Sequence, residues 1–380
     1  MFGGRLTLFE LFGFKVRVDP SWLLLAALIV WSLAAGYFPA TQPGWRPRVY
    51  WIMGGAGLLG LAASVVVHEL AHSLVARRFD MPITGITLFV FGGIAEMNEE
   101  PPTARGEFLM AIAGPVVSLV IAGLLWGLVV LALHLGGDPS NPALAVVSYL
   151  SFLNLLLAGF NMVPAFPLDG GRCLRAALWA WRGDLLLATR MATGAGSLVG
   201  LAVAGWGVYA LVLGSVVGGL WWIMVGMFIR TAAGQAYRQA AGRRLLAGQP
   251  VTRLMNSSPV AVEPGVTIER LVEDYFYRHG FKSFPVVAGG RLVGCVAIDA
   301  VKSVPRPEWR SRTVAEVMEG CIGATIPDHV DAAQALARMR RSGRSRVLVT
   351  RDGRLVGVLS LRDLLDHLTV REDLEGGHAS

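Results

Sequence analysis

The run from Trp51 to Ala76 is apolar except for His68-Glu69-Leu70-Ala71-His72. On a helix, positions i and i+4 share one face and lie about 6 Å apart along the axis. Two imidazoles spaced this way can hold one zinc ion, and the glutamate can take a proton from water. Gly54 to Val67 carries no charge at all. Ionisable groups at membrane depth are costly, so three of them within five residues call for a function. The plainer alternative is that they pair with one another inside a helix bundle.

A catalytic zinc takes a third protein ligand and leaves one position to water. The best candidate is Asp169, in Asn161-Met162-Val163-Pro164-Ala165-Phe166-Pro167-Leu168-Asp169-Gly170-Gly171-Arg172. Pro164 and Pro167 break the helix there, so backbone groups and Asp169 can line a cavity instead of facing lipid. Read alone, Asp169 could equally be a turn residue in a Pro/Asp/Gly loop.

These residues must be positioned by membrane spans. The 380 residues are 54% hydrophobic and 16% charged, with a mean hydropathy of +0.53, too apolar for a soluble protein. Six apolar runs are candidate spanning helices, roughly 20–38, 50–76, 107–135, 143–161, 191–212 and 214–230. The net charge of +7 reads as loop charge and not as a nucleic-acid surface, because the arginines border apolar runs. One side holds Arg5, Lys15, Arg17, Arg77, Arg78, Arg105, Arg172, Arg175, Arg182, Arg190 and the tail; the other holds Arg46 and Arg48. The positive-inside rule then puts both termini in the cytoplasm and the histidines nearer that face. No signal-peptide pattern is found at the N-terminus. Cys173, Cys295 and Cys321 show no metal spacing and suggest no disulfide framework. Ile86 to Met97 alternates weakly and is rich in β-formers; it reads as an interfacial hairpin or as an exposed strand edge that pairs with an unwound substrate.

Beyond about Arg230 charges become frequent and long apolar runs stop. The tail repeats at an offset of 63: Gly290-Arg291-Leu292-Val293-Gly294 recurs as Gly353-Arg354-Leu355-Val356-Gly357, Met255 maps to Met318 and Gly280 to Gly343. Each copy reads as an α/β unit. The expected division is 1–230 for the membrane domain, 231–250 for a linker, 251–310 and 311–372 for the two repeats, and 373–380 for a disordered tail.

His68-Glu69-Leu70-Ala71-His72, Ala113-Gly114-Pro115 and the 161–172 stretch, in that order, resemble the site-2 protease family of intramembrane zinc metalloproteases. Val16 to Trp22 and Phe91 to Ala95 are similar to that family too. The resemblance covers roughly 5–230. It implies one zinc per chain on His68, His72 and Asp169, Glu69 as general base, and Asn161 binding substrate or stabilising its oxyanion. Asn154 sits seven residues earlier, where a helix-packing hydrogen bond is as good a reading. The tail resembles a pair of cystathionine-β-synthase-type (CBS) modules, which implies binding of ATP, ADP or AMP with Ser360 and Asp363 as contacts. The first copy has Ala297 and Ala300 there instead. A docking or homodimerisation module is the alternative for the tail.

The fold expected is an α-helical polytopic membrane protein of about six spans, with a short β segment near the active site, plus an α/β CBS pair. The function expected is zinc endoproteolysis of transmembrane segments of membrane-protein substrates within the lipid bilayer of the plasma membrane, modulated by adenine nucleotide, with no nucleic-acid partner. The alternatives are a CBS-gated transporter or channel with a metal site in the membrane, and a catalytically dead scaffold, although no motif residue is missing.

Overall fold

Proline and capping residues punctuate the apolar stretches. In the computed structural model, which describes residues 6–81, 83–89, 92–97, 101–321 and 323–376, helix α1 (Pro20–Thr41) opens where the Asp19 carboxylate accepts from the Ser21 N–H. Helix α2 (Pro47–Arg78) opens on proline. Thr103 caps α3 (Ala104–His134), Asn141 caps α4 (Pro142–Asn161) and Asp184 caps α6 (Leu185–Val212), each side chain accepting an otherwise unpaired N–H of the first turn. Between α4 and α6 lies α5 (Asp169–Arg182), and α7 (Val216–Leu246) follows. All but α5 are long and apolar enough to cross a membrane, giving the six expected candidate spans. Arg5, Val90 and Phe91, and residues 377–380 of the expected tail, lie outside the described residues.

Two units form, Met1–Ala240 and Ala241–Ser380. In the first, glycines let helix backbones touch. A Cβ on Gly200 would sit 2.7 Å from the Gly226 carbonyl oxygen, and one on Gly207 2.7 Å from that of Gly219. Such small-residue contacts replace the hydrophobic drive that lipid cannot supply.

The same unit contains a four-stranded sheet of order β1 (Leu6–Leu11), β2 (Phe14–Val18), β3 (Ile83–Phe89), β4 (Gly92–Met97). Strand β2 runs parallel to β3, from Lys15↔Gly85 to Val18↔Leu88. Gly85 permits this approach, since a Cβ there would stand 2.7 Å from the Lys15 carbonyl oxygen. The Ile86–Met97 stretch is therefore a hairpin of β3 and β4 whose free edge lies on β4 and not on β3. Strand β3 is paired on both sides, and the open edges among the described residues belong to β1 and β4. Val16 and Val18 pack on Val66, and Phe14 on Leu70, so the sheet lies along the helix that carries His68.

The second unit is a mixed five-stranded sheet of order β5 (Ser283–Ala288), β6 (Arg291–Ala297), β9 (Arg354–Ser360), β8 (Arg346–Arg351), β7 (Thr325–Pro327). The 63-residue offset carries β5 onto β8 and β6 onto β9, ends included. It also carries the bulge at Val286/Val287 onto that at Val349/Thr350. Gly280 and Gly343 adopt φ of +65° and +64°, a left-handed conformation that favours glycine at a helix end. Asn256 bridges to Val358 as Glu319 bridges to Cys295, again 63 residues apart. Helices α8 (Ala332–Ser342) and α9 (Leu361–Gly376) cover the second copy, whose core includes Leu246 at the end of α7.

One expectation fails here. Cys295 and Cys321 form a disulfide across 26 residues. The Cys295↔Glu319 bridge brings them together, a long-range pairing that cysteine spacing does not encode.

Candidate metal centre

Helix α2 places His68 and His72 one turn apart, both buried. Their Nε2 atoms are 3.2 Å apart. The loop after α4 returns Asp169 to them as the first residue of α5, with Oδ2 3.2 Å from each Nε2. Ligand bonds of about 2.0–2.1 Å in tetrahedral array separate ligand atoms by about 3.3–3.4 Å. A triangle with 3.2 Å sides is thus the right size for one zinc, and two imidazoles with a carboxylate are the right donors.

The space beside the triangle is kept by Gly114 on α3. A Cβ there would fall 2.3 Å from His72 Nε2 and 2.6 Å from His68 Nε2, so any side chain would compete with an ion for the same volume.

The other ring nitrogens fix the tautomers. His72 Nδ1 lies 2.7 Å from the Met110 carbonyl oxygen. A carbonyl only accepts, so Nδ1 carries the proton and a neutral ring presents its Nε2 lone pair to the metal side. His68 Nδ1 lies 2.9 Å from Ser118 Oγ, which can accept in the same manner. Both partners belong to α3. Neither stood out in the sequence, because only the packing register of α2 on α3 brings them within reach.

Two glycines let Asp169 arrive. A Cβ on Gly170 would meet the Met162 carbonyl oxygen at 2.3 Å, and one on Gly171 the Phe166 nitrogen at 2.2 Å. On the far side, Gly196 of α6 leaves room for the Phe166 carbonyl, which a Cβ would meet at 2.1 Å. The proline-rich loop is thereby clamped between α5 and α6.

Glu69 is half-buried between the two histidines in sequence, and its carbonyl accepts from Ser73 Oγ at 2.9 Å. Asn161, the last residue of α4, donates from Nδ2 to the Leu157 carbonyl at 2.9 Å. Asn154 is fully buried and donates to Ser64 Oγ on α2 and to the Leu150 carbonyl, the helix-packing role weighed for it above. Arg175, counted above among the loop cations, is buried and paired with Glu107. Cys173 is not a poised nucleophile: burial first, then the Asp169 and Glu107 carboxylates, push its thiol up to about 11.

In the tail, Ser360 and Asp363 line a cavity of about 400 Å³ together with Arg344, Arg346, Arg362 and Cys295. They also bond each other: Ser360 N–H and Oγ donate to Asp363 Oδ2, at 2.8 and 2.7 Å. Ala297 of the first copy lines the same cavity.

The sequence profile of peptidase family M50 matches residues 56–138 and 137–204, and that of the CBS domain matches 251–304 and 314–370. Rip3 of Mycobacterium tuberculosis is 35% identical over 360 residues, covering 93% of this chain and 90% of its own. A zinc metalloprotease of Methanocaldococcus jannaschii is 32% identical over 312 residues, covering 82% and 84% respectively. A solved site-2 protease structure from Methanocaldococcus jannaschii aligns with 62% of this chain and 95% of that chain, at 29% identity and a TM-score of 0.42.

Proposed function

The chain belongs to peptidase family M50, the site-2 protease family, with two CBS domains, and on that premise we propose that it hydrolyses peptide bonds in the transmembrane segments of other membrane proteins. The observation that carries this is the triangle of buried His68 and His72 with partly buried Asp169, beside the space that Gly114 keeps open. His68, His72 and Asp169 would hold one zinc. When bound, zinc supplies Lewis acidity, making water acidic enough to lose a proton near neutral pH and polarising the scissile carbonyl. Glu69 takes the proton of the attacking water and hands it to the leaving amine. Asn161, at the end of α4, binds the substrate backbone or its developing oxyanion.

A peptide bond inside an intact helix is shielded by its own hydrogen bonds, so the substrate must unwind before it is cut. An unwound strand in an apolar setting needs new partners for its N–H and C=O groups. The outer edge of β4 can supply them by strand addition, and the sheet runs along the helix that carries His68.

The positive-inside reading places both termini and the CBS pair in the cytoplasm of a plasma-membrane protein. It keeps 1–230 as protease, 231–250 as linker, and 251–310 and 311–372 as the two modules. ATP, ADP or AMP occupies the cavity at Ser360 and Asp363, where Arg344, Arg346 and Arg362 offer positive charge to phosphate. Because Leu246 of α7 is part of the core of the second module, nucleotide bound unequally by two arrangements of the tail would alter turnover. A second copy joined through the tail is the further partner. Family membership leaves the gated-channel reading without an observation of its own.

Co-expression with candidate single-span proteins, comparing wild type with Glu69→Gln, tests the activity. A cleavage product present with wild type and absent with Glu69→Gln is expected. Equal cleavage by both would overturn the assignment.

A further inference from the structure

Asp169 comes from a different element than the two histidines, and something must hold it there. Asp169 Oδ2 lies 3.2 Å from the Nε2 atoms of both histidines, and these contacts are all made to one side chain at the start of α5.

The anchor lies further along α5. Arg175 Nε donates to Glu107 Oε1 at 2.7 Å, and its Nη2 donates to the same oxygen. Glu107 is fully buried and Arg175 nearly so. Glu107 lies on α3 three residues before Met110, whose carbonyl orients His72. Arg175 lies six residues beyond Asp169 on α5, and its guanidinium covers the Phe166 ring at 5.1 Å to the centroid. Phe166 belongs to the loop that delivers Asp169. One side chain therefore grips the helix that bears the carboxylate ligand, the loop before it, and the helix that sets the histidine tautomers.

We propose that Glu107 and Arg175 are a pair of positioning residues that hold Asp169 in ligand geometry before zinc arrives. The proposal rests on Asp169 being a zinc ligand. Stability alone does not account for the pair. A buried ion pair replaced by apolar residues of similar volume is commonly neutral or stabilising. What an apolar pair lacks is direction. The guanidinium fork fixes the rotation and height of α5 against α3, where apolar packing allows sliding.

The test uses the purified full-length protein in detergent, stripped of metal and titrated with zinc against a competing chelator. Cobalt is added separately as a visible-absorption probe of ligand geometry. The main variant is the double substitution Glu107→Leu/Arg175→Met, which removes both charges of the pair together. It should fold, unfold at the wild-type temperature when metal-free, bind zinc about 10–100-fold more weakly, and show an altered cobalt spectrum. Arg175→Lys keeps the charge without the fork and should fall between the two. Zinc affinity and cobalt spectrum unchanged in the double variant would overturn the proposal. So would a drop in metal-free thermal stability large enough to explain the weaker binding. Asp169→Asn in the same titration separates the two levels: wild-type zinc affinity there overturns the ligand assignment itself, and this proposal with it.

Discussion

A Cβ on Gly114 would stand 2.3 Å from His72 Nε2. At this position the third helix meets the metal-side nitrogens with backbone, as its Met110 carbonyl and Ser118 hydroxyl meet the other two ring nitrogens. Gly114→Ala should crowd the ion's place and the two ligating nitrogens while leaving every ligand residue in the sequence. Zinc content per chain should fall to near zero while the protein still elutes as wild type from size exclusion. A fully zinc-loaded Gly114→Ala protein would show that the triangle is not where the metal sits.

The ligands and the base should separate in metal analysis. His68→Ala or His72→Ala removes one of three protein ligands and should abolish most zinc binding. Asp169→Asn should weaken both binding and cleavage. Glu69→Gln should keep its zinc and lose cleavage by about 100-fold or more, because an amide cannot accept the water proton. If Glu69→Gln lost zinc in step with activity, its role would be structural and the base would lie elsewhere.

Substrate addition to the sheet now points to β4. Proline scanned one position at a time through Gly92–Met97 removes one N–H donor per variant. Positions whose N–H faces away from β3 should lose cleavage while zinc stays bound. Uniform tolerance along the whole strand would dispose of the strand-addition idea. Proline within β3 is a poor probe, since its N–H groups face partners on both sides and the sheet itself would suffer.

The Cys295–Cys321 crosslink closes a loop of 26 residues, worth about 3 kcal/mol through the unfolded chain. Adding reductant to purified protein, or substituting Cys295→Ser, should lower the unfolding midpoint of the tail by roughly 10 °C. Intact-mass measurement after alkylation under denaturing, non-reducing conditions should find one modified thiol, Cys173. Three modified thiols would mean the bond is not formed. Such bonds are rare in reducing compartments, so the measurement also bears on where the tail resides.

What could be read from sequence follows from how far apart the partners are. His68 and His72 are one helical turn apart, so their shared face follows from local geometry. Asp169 was legible because prolines five and two residues away, Pro164 and Pro167, break a helix in an apolar setting. The repeat was legible because matched pentapeptides at one offset lead to matched strands. Ser118, Met110 and Glu107 were not, since their roles depend on which face of α3 meets α2 and α5. Which strand of the Ile86–Met97 hairpin keeps the open edge was not legible, because β2 pairs with β3 from some seventy residues upstream, and only Gly85 hints at a close backbone neighbour. Arg175 looked like one more loop cation until its burial against Glu107 was seen.

The nucleotide reading faces a confound built into the fold. Ser360 and Asp363 already bond each other around the start of α9, a capping arrangement that would stabilise the helix with no ligand present. Asp363→Ala therefore weakens a cap by about 1 kcal/mol as well as any ribose contact, and a lost signal would be ambiguous. Asp363→Asn keeps a cap acceptor and removes the charge, while Ser360→Ala removes the hydroxyl alone. Calorimetric titration of ATP, ADP and AMP into the full-length protein should give binding by at least one nucleotide. Asp363→Asn should weaken it about tenfold or more with the thermal midpoint of the apo tail unchanged. Binding of wild-type strength in Asp363→Asn and Ser360→Ala would move the contacts to the first copy's side of the cavity, near Ala297. Silence with all three nucleotides would leave the tail as a docking or dimerisation module, its Ser360–Asp363 pair a helix cap and nothing more.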